Sequence, residues 1–212
     1  MDQSCIRILI VDDHPAICKG LAAIFEPELD IEVVGVATTR EDSVKAYREK
    51  QPDIVLMDLG LGGEVCGIDA IREIRTEFPT AKIIVFSALR GDEDIYQALR
   101  AGALTFLSKE TPDEQLMNVI RDVQAGGRPI PQEVARKLAD RVNFLSLTER
   151  ETQVVKLLAD GLRNKEIAGV LHISEETVQG HVKKVLVKLN VNDRTKAAMV
   201  AAQRGIIHIT HP

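Results

Sequence analysis

The pattern of apolar and polar positions changes character once along the chain. Through the first 125 residues, short apolar runs rich in Ile and Val alternate with longer amphipathic stretches. The runs are IRILIV (6–11), IEVVGVA (31–37), DIVLMD (53–58), KIIVFS (82–87) and ALTFLS (103–108). Runs of this length and composition read as strands covered on both faces, as in a parallel sheet. The stretches near 15–25, 40–50, 68–77, 92–100 and 112–125 read as helices. Five βα units in succession predict an α/β fold: a five-stranded, doubly wound parallel sheet with helices on both faces. Thr111, Pro112 and Glu114 predict a capping-box start for the fifth helix.

Residues 126–143, GGRPIPQEVARKLADRVN, open with two glycines and two prolines, which stop a helix. The domains expected are therefore 1–125, a linker over 126–143 with a short helix around 131–140, and 144–212. The last segment is helical throughout. Thr148 and Glu151 form a capping box for one helix, which Gly161 ends. A second helix covers about 164–170. Ser174 caps a third, with Glu175 and Glu176 in its first turn, where the helix dipole favours acids. It runs to about Leu189. A fourth spans about 195–204 and stops at Gly205.

Composition sharpens this division. The chain of 212 residues carries a net charge of −5. Residues 1–125 hold 13 Lys+Arg against 23 Asp+Glu, a net of −10, and residues 126–212 hold 14 against 9, a net of +5. The basic half is the nucleic-acid candidate. No apolar stretch approaches the length of a membrane span, and the start MDQSCIRILIVDD lacks the basic end and cleavage site of a signal peptide. A cytoplasmic protein with no membrane partner is expected. Cys5, Cys18 and Cys66 are odd in number and form no C-x-x-C pair, which suits a reducing compartment.

Chemistry-bearing residues gather at the ends of the expected strands. Asp12 and Asp13 follow the first, Asp58 ends the third, Ser87 ends the fourth and Lys109 follows the fifth. Ligands of doubly wound sheets bind at these carboxyl ends, at the topological switch point. If the order is 2-1-3-4-5, the three carboxylates converge. Close carboxylates need raised pKa values or a cation, and Mg²⁺ is the natural hard ion. A carboxylate can then act as nucleophile towards phosphorus. Lys109 supplies a point charge for the phosphoryl group, and Ser87 supplies a hydroxyl.

The pieces VDDH (11–14), DIVLMDL (53–59), VFSA (85–88) and GALTFLSKE (102–110) resemble the response-regulator receivers, over residues 6–125. The resemblance implies a flavodoxin-like receiver with Asp58 as phospho-acceptor. Asp12, Asp13, Asp58 and the backbone carbonyl of Gly60 would hold Mg²⁺. Ser87 and Lys109 would bind the phosphoryl group, and Phe106 takes the switch position, although plain core packing explains a buried Phe equally well. A sensor histidine kinase would be the donor, and no organic cofactor is implied. Two features depart from the family. Gly62 stands where a proline is frequent, and the stretch GLGGEVCG (60–67) is one residue longer than usual.

The second half resembles the LuxR-type helix-turn-helix, over residues 147–206, through LTxRE, GLxNKEIA, ISxxTV and KLxVxxRT. With the receiver, this gives the NarL/FixJ architecture. In the third helix Val178, Val182, Val185, Leu186 and Leu189 form one apolar stripe, which suits a packed recognition helix. The resemblance places Gln179, Gly180 and Lys183 nearest the base edges. Lys184, Lys188, Thr177 and Asn164 are phosphate-contact candidates, with Lys165 weaker. His172 and His181 receive no role. Many relatives have Lys at position 179. Gln pairs with adenine and Lys with guanine, so a different half-site is expected. The last helix would support a homodimer on DNA, and in this subfamily the resting receiver often obstructs the recognition helix.

The function expected is a phosphorylation-controlled, sequence-specific transcriptional regulator. It would not be an enzyme beyond assisting its own phosphorylation and dephosphorylation. Two alternatives stay open on the residues alone. One is an Mg²⁺-dependent phosphatase with an aspartyl nucleophile. The other is a regulator that works through partner binding without phosphorylation.

Overall fold

The computed structural model describes residues 5–63, 67–88, 91–142 and 145–208. Cys66 and part of the 60–67 loop lie outside these residues. The chain divides into two compact units, one built on a sheet and one all-helical.

In the first unit the strands are β1 (Ile6–Val11), β2 (Ile31–Ala37), β3 (Ile54–Met57), β4 (Lys82–Ser87) and β5 (Thr105–Ser108). They form one parallel sheet in the order β2-β1-β3-β4-β5. The helices are α1 (Pro15–Phe25), α2 (Arg40–Lys50), α3 (Gly67–Glu77), α4 (Asp92–Ala101) and α5 (Asp113–Gln124). Every strand is followed by a helix, as the alternating pattern predicts.

Burial explains why the strands read as continuous apolar runs. Ile8, Ile10, Leu56, Ile84, Phe86 and Leu107 pack with Leu21 and Phe25 of α1 and Leu116, Ile120 and Val123 of α5. The intervening Leu9, Val55, Met57, Ile83, Val85 and Phe106 are also buried, and the period of two turns them to the opposite face. Ile8–Val11, Ile54–Met57 and Ile83–Phe86 are apolar and buried on both faces of the central strands.

The start of α5 differs from the sequence expectation. Pro112 occupies the N-cap position with no side-chain cap, and Thr111 does not cap the helix. The reason is that the first helical hydrogen bond, from Leu116 N–H, is accepted by the Pro112 carbonyl at 3.0 Å. The helix therefore begins one residue later than a Thr111 cap would require. The helix expected within the linker segment is α6 (Gln132–Val142).

The second unit contains α7 (Glu149–Ala159), α8 (Asn164–Leu171), α9 (Glu175–Lys188) and α10 (Arg194–Gln203). Thr148 and Glu151 make the reciprocal capping box at α7. Ser174 caps α9 by accepting from Thr177 N–H at 3.1 Å. Asp193 caps α10 in the same way, accepting from Lys196 N–H at 2.8 Å. Gly161 and Gly205 take positive φ where the chain leaves α7 and α10. Val178, Val185 and Leu189 are buried and Val182 and Leu186 pack partly buried beside them, so the apolar stripe of α9 faces the core.

Candidate functional site

The pocket is assembled by strand register. β1 and β3 are neighbours, with Val11 opposite Met57. The next residue of each strand is an aspartate, and Asp58 N–H donates to the Val11 carbonyl at 2.8 Å. Met57 lies opposite Val85, and Ser87 lies opposite Ser108, so Ser87 and Lys109 arrive at the same edge. Lys109 N–H donates to the Ser87 carbonyl at 3.1 Å.

Asp58 is the centre of this group. Ser87 Oγ donates to Asp58 Oδ1 at 2.6 Å, and Lys109 Nζ donates to Asp58 Oδ2 at 2.7 Å. The same ammonium lies 2.6 Å from Asp12 Oδ2. Burial alone would lower the Lys109 pKa. The hydrogen bonds to Asp12 and Asp58 outweigh burial and hold it above the ordinary value, so Lys109 stays charged. Asp12 and Asp58 are buried, and Asp13 is partly exposed. Asp13 Oδ2 accepts from Gly62 N–H at 2.9 Å. Gly60 is beside the acceptor, since a β-carbon there would lie 4.0 Å from Asp58 Oδ2. Phe106 is 2% exposed on the strand beside Val85.

This donor set fits a hard divalent ion. It consists of carboxylate oxygens close together, and Asp13 Oδ1 is shut from solvent without a hydrogen bond. The structure thus brings together Asp12, Asp13, Asp58, Gly60, Ser87 and Lys109, all named from the sequence. His14 joins them. Its Nδ1 lies 2.8 Å from Asp13 Oδ1 and 3.3 Å from Asp12 Oδ1. Sequence reasoning gave it no role, although it stands directly after the Asp pair.

In the helical unit Gln179, Gly180, Lys183 and Lys184 are exposed on α9. Thr177 is exposed too, with its hydroxyl 2.7 Å from Ser174 Oγ, and Asn164 is half-buried at the start of α8. Lys188 is differently engaged. Its ammonium bonds the buried Glu151 at 2.6 Å and the Ser146 carbonyl at 3.0 Å, tying α9 to α7. Burial raises the Glu151 pKa, but bonds from Lys188 and Thr148 outweigh it and hold the carboxyl below the usual range. Two arginines of the recognised motifs also join helices. Arg150 donates to the Leu171 carbonyl at 2.7 Å, closing the end of α8, and Arg194 donates to the Leu162 carbonyl.

A doubly wound sheet with an acid, hydroxyl and ammonium pocket at its switch point, followed by a helix-turn-helix unit, defines a regulator class. The receiver domain of response regulators matches residues 8–121, and the luxR family of bacterial regulatory proteins matches residues 145–201. The chain belongs to the response regulators that join a receiver domain to a LuxR-type DNA-binding domain. It is 37% identical over 211 residues to the transcriptional regulatory protein LiaR of Bacillus subtilis (strain 168), covering 96% of this chain and 100% of that protein. A crystal structure of the response regulator ChrA, from a haem-sensing two-component system, is 31% identical with a TM-score of 0.56, and covers 96% of this chain and 100% of that one. The structure of RcsB dimers bound to DNA shares the fold at 23% identity, with a TM-score of 0.69 over 94% of this chain and 99% of that one. Among the described residues, no helix is long and apolar enough to cross a membrane.

Proposed function

We propose that Asp58 accepts a phosphoryl group from a sensor histidine kinase and that this controls DNA binding by α9. The observation that carries the reading is the position of the Asp58 carboxylate between the Ser87 hydroxyl and the Lys109 ammonium. Asp12, Asp13, Asp58 and the Gly60 carbonyl would hold Mg²⁺, which neutralises carboxylate charge and binds phosphoryl oxygens. One Asp58 oxygen attacks phosphorus, and the phosphorus–nitrogen bond to the donor histidine breaks. Lys109 and Ser87 give up their bonds to Asp58 and take the new phosphoryl oxygens. Ser87 is then drawn towards the phosphate, and Phe106 on the neighbouring strand is the side chain placed to follow. The effect on DNA binding is a shift between two populations.

In this reading residues 1–125 are the receiver, 126–143 the linker and 144–212 the DNA-binding domain, acting in the cytoplasm. Gln179, Gly180 and Lys183 read bases, while Lys184, Thr177 and Asn164 contact phosphates. Lys188 contacts them only if it leaves Glu151. A homodimer through α10 would match paired half-sites, and Met199, 57% exposed, is its most prominent apolar side chain.

The test is intact mass and self-association with Mg²⁺ and acetyl phosphate, for wild type and Asp58→Asn. A phosphoryl mass gain and dimer formation are expected in the wild type alone. An equal mass gain in the variant would remove Asp58 as acceptor. Selection of binding sites from random DNA tests Gln179: Gln179→Lys is expected to move the preference from adenine towards guanine at one position per half-site. An unchanged preference would mean that Gln179 does not read a base.

A further inference from the structure

The motif ISxxTV leaves its two central positions open, and this chain fills both with glutamate, Glu175 and Glu176. Acids in a first helical turn are favoured by the helix dipole, which accounts for either residue as part of the fold. Their positions around α9 differ. Glu176 stands three residues before Gln179, four before Gly180 and seven before Lys183, a spacing that puts all four on one face of the helix. Glu175 is rotated from it by about 100°, towards the side of the buried Val178.

The face that carries Glu176 is not packed within the helical unit. Glu176, Gln179, Gly180 and Lys183 are exposed, and Val187, which continues the same line, is 69% exposed. Among the described residues Glu176 has no ion pair and no side-chain hydrogen bond. Gly180 is a poor helix former in mid-helix, and a β-carbon there would meet nothing within 4 Å, so the packing of the chain does not call for glycine. The bare backbone lets this face approach a groove floor closely. The N-terminal residues of a recognition helix are the ones that contact base edges, and Glu176 is the N-terminal residue of this face.

We propose that Glu176 is a further specificity-determining residue, which accepts a hydrogen bond from the amino group of a cytosine beside the base that Gln179 reads. This rests on the reading of α9 as the helix that enters the major groove. An ionised carboxylate only accepts hydrogen bonds, and phosphate oxygens donate none. The side chain is therefore repelled by the DNA backbone and is held in the groove only by a base donor. Cytosine N4 and adenine N6 are the amino donors there. Adenine N7 stands next to N6 and is an acceptor, so it faces a carboxylate unfavourably, and cytosine is the better partner.

The experiment selects binding sites from random double-stranded DNA with the full chain, and circular dichroism verifies folding. Wild type, Glu176→Ala, Glu176→Gln, Glu175→Gln and Gln179→Lys are compared. Wild type is expected to enrich cytosine at one position of each half-site, next to the position that responds to Gln179→Lys. In Glu176→Ala the preference for cytosine over thymine at that position should fall by on the order of tenfold, with the other positions unchanged. Glu176→Gln should move the position towards adenine, and Glu175→Gln should leave it as it is. A role confined to stabilising the helix would weaken binding to every sequence alike. An unchanged cytosine preference in Glu176→Ala, or a uniform loss at all positions, overturns the proposal. Enrichment that responds to Gln179→Lys but not to Glu176→Ala overturns the proposal alone, whereas no enrichment at any position in wild type overturns the reading of α9 as well.

Discussion

Gly62 shows how a single residue sets the pocket. It has φ +64° and ψ +27°, in the left-handed region, within a 3-10 turn over Leu61–Gly63. Its N–H donates to Asp13 Oδ2. A proline, frequent here in the family, holds φ near −65° and has no N–H to donate. The glycine therefore takes a conformation and makes a bond that proline cannot. Gly62→Pro is expected to weaken Mg²⁺ binding by on the order of tenfold, since groups that orient a metal ligand contribute that much. Gly62→Ala keeps the N–H and should weaken it less, at the cost of about 1 kcal/mol of backbone strain. Calorimetric titration with Mg²⁺ separates the two, and equal affinity in Gly62→Pro would show that the bond does not orient Asp13. The departure from the family pattern was legible in the sequence. The bond was not, because it joins residues 49 positions apart.

At the scale of elements, the helical unit depends on side chains that serve two helices at once. Glu151 closes the α7 capping box by accepting from Thr148 N–H at 2.7 Å, and it also holds Lys188 of α9. The sequence showed the first role, three residues from its cap, and missed the second, 37 residues away. The folded-state pKa of Glu151 lies below its unfolded value. Its contribution to stability is therefore complete above the unfolded value near 4.5 and is lost as pH falls through the folded one. Glu151→Gln should lower stability at neutral pH by roughly 2 kcal/mol. That is less than the 3–5 kcal/mol of a fully buried pair, because Lys188 is 23% exposed. The variant should also flatten the acid limb of stability against pH. Urea unfolding followed by helical circular dichroism between pH 3 and 7 measures both, and an unchanged acid limb would assign acid sensitivity to other carboxylates.

At the scale of the whole molecule, the charge division separates the chemistry. An acidic unit suits a cation and a phosphoryl group, and a basic unit suits a polyanion, although the chain as a whole is acidic. Each phosphate contact adds about −0.9 to the slope of log affinity against log salt. If phosphorylation pairs two copies on DNA, both copies contribute contacts, and the slope should steepen about twofold. DNA binding across a KCl series, with and without acetyl phosphate, is the measurement. The same slope in both conditions, for wild type and Asp58→Asn alike, would mean that the phosphodonor does not change the number of copies bound.

The sequence by itself determined the elements and their order, because strand burial, helix amphipathicity and most caps are set by residues near each other in the chain. It also determined the chemistry available at the strand ends, since Asp12, Asp13, Asp58, Ser87 and Lys109 end or directly follow the apolar runs. Tertiary structure decided which of those ends meet. The parallel register places Asp12 beside Asp58 and brings Ser87 and Lys109 to the same carboxylate, and no local pattern carries that information. It alone gave the Gly62 N–H its acceptor and committed Lys188 to Glu151, because each of these depends on a backbone path closed by distant residues. It also moved the start of α5 past Thr111, where the Pro112 carbonyl accepts the first helical bond.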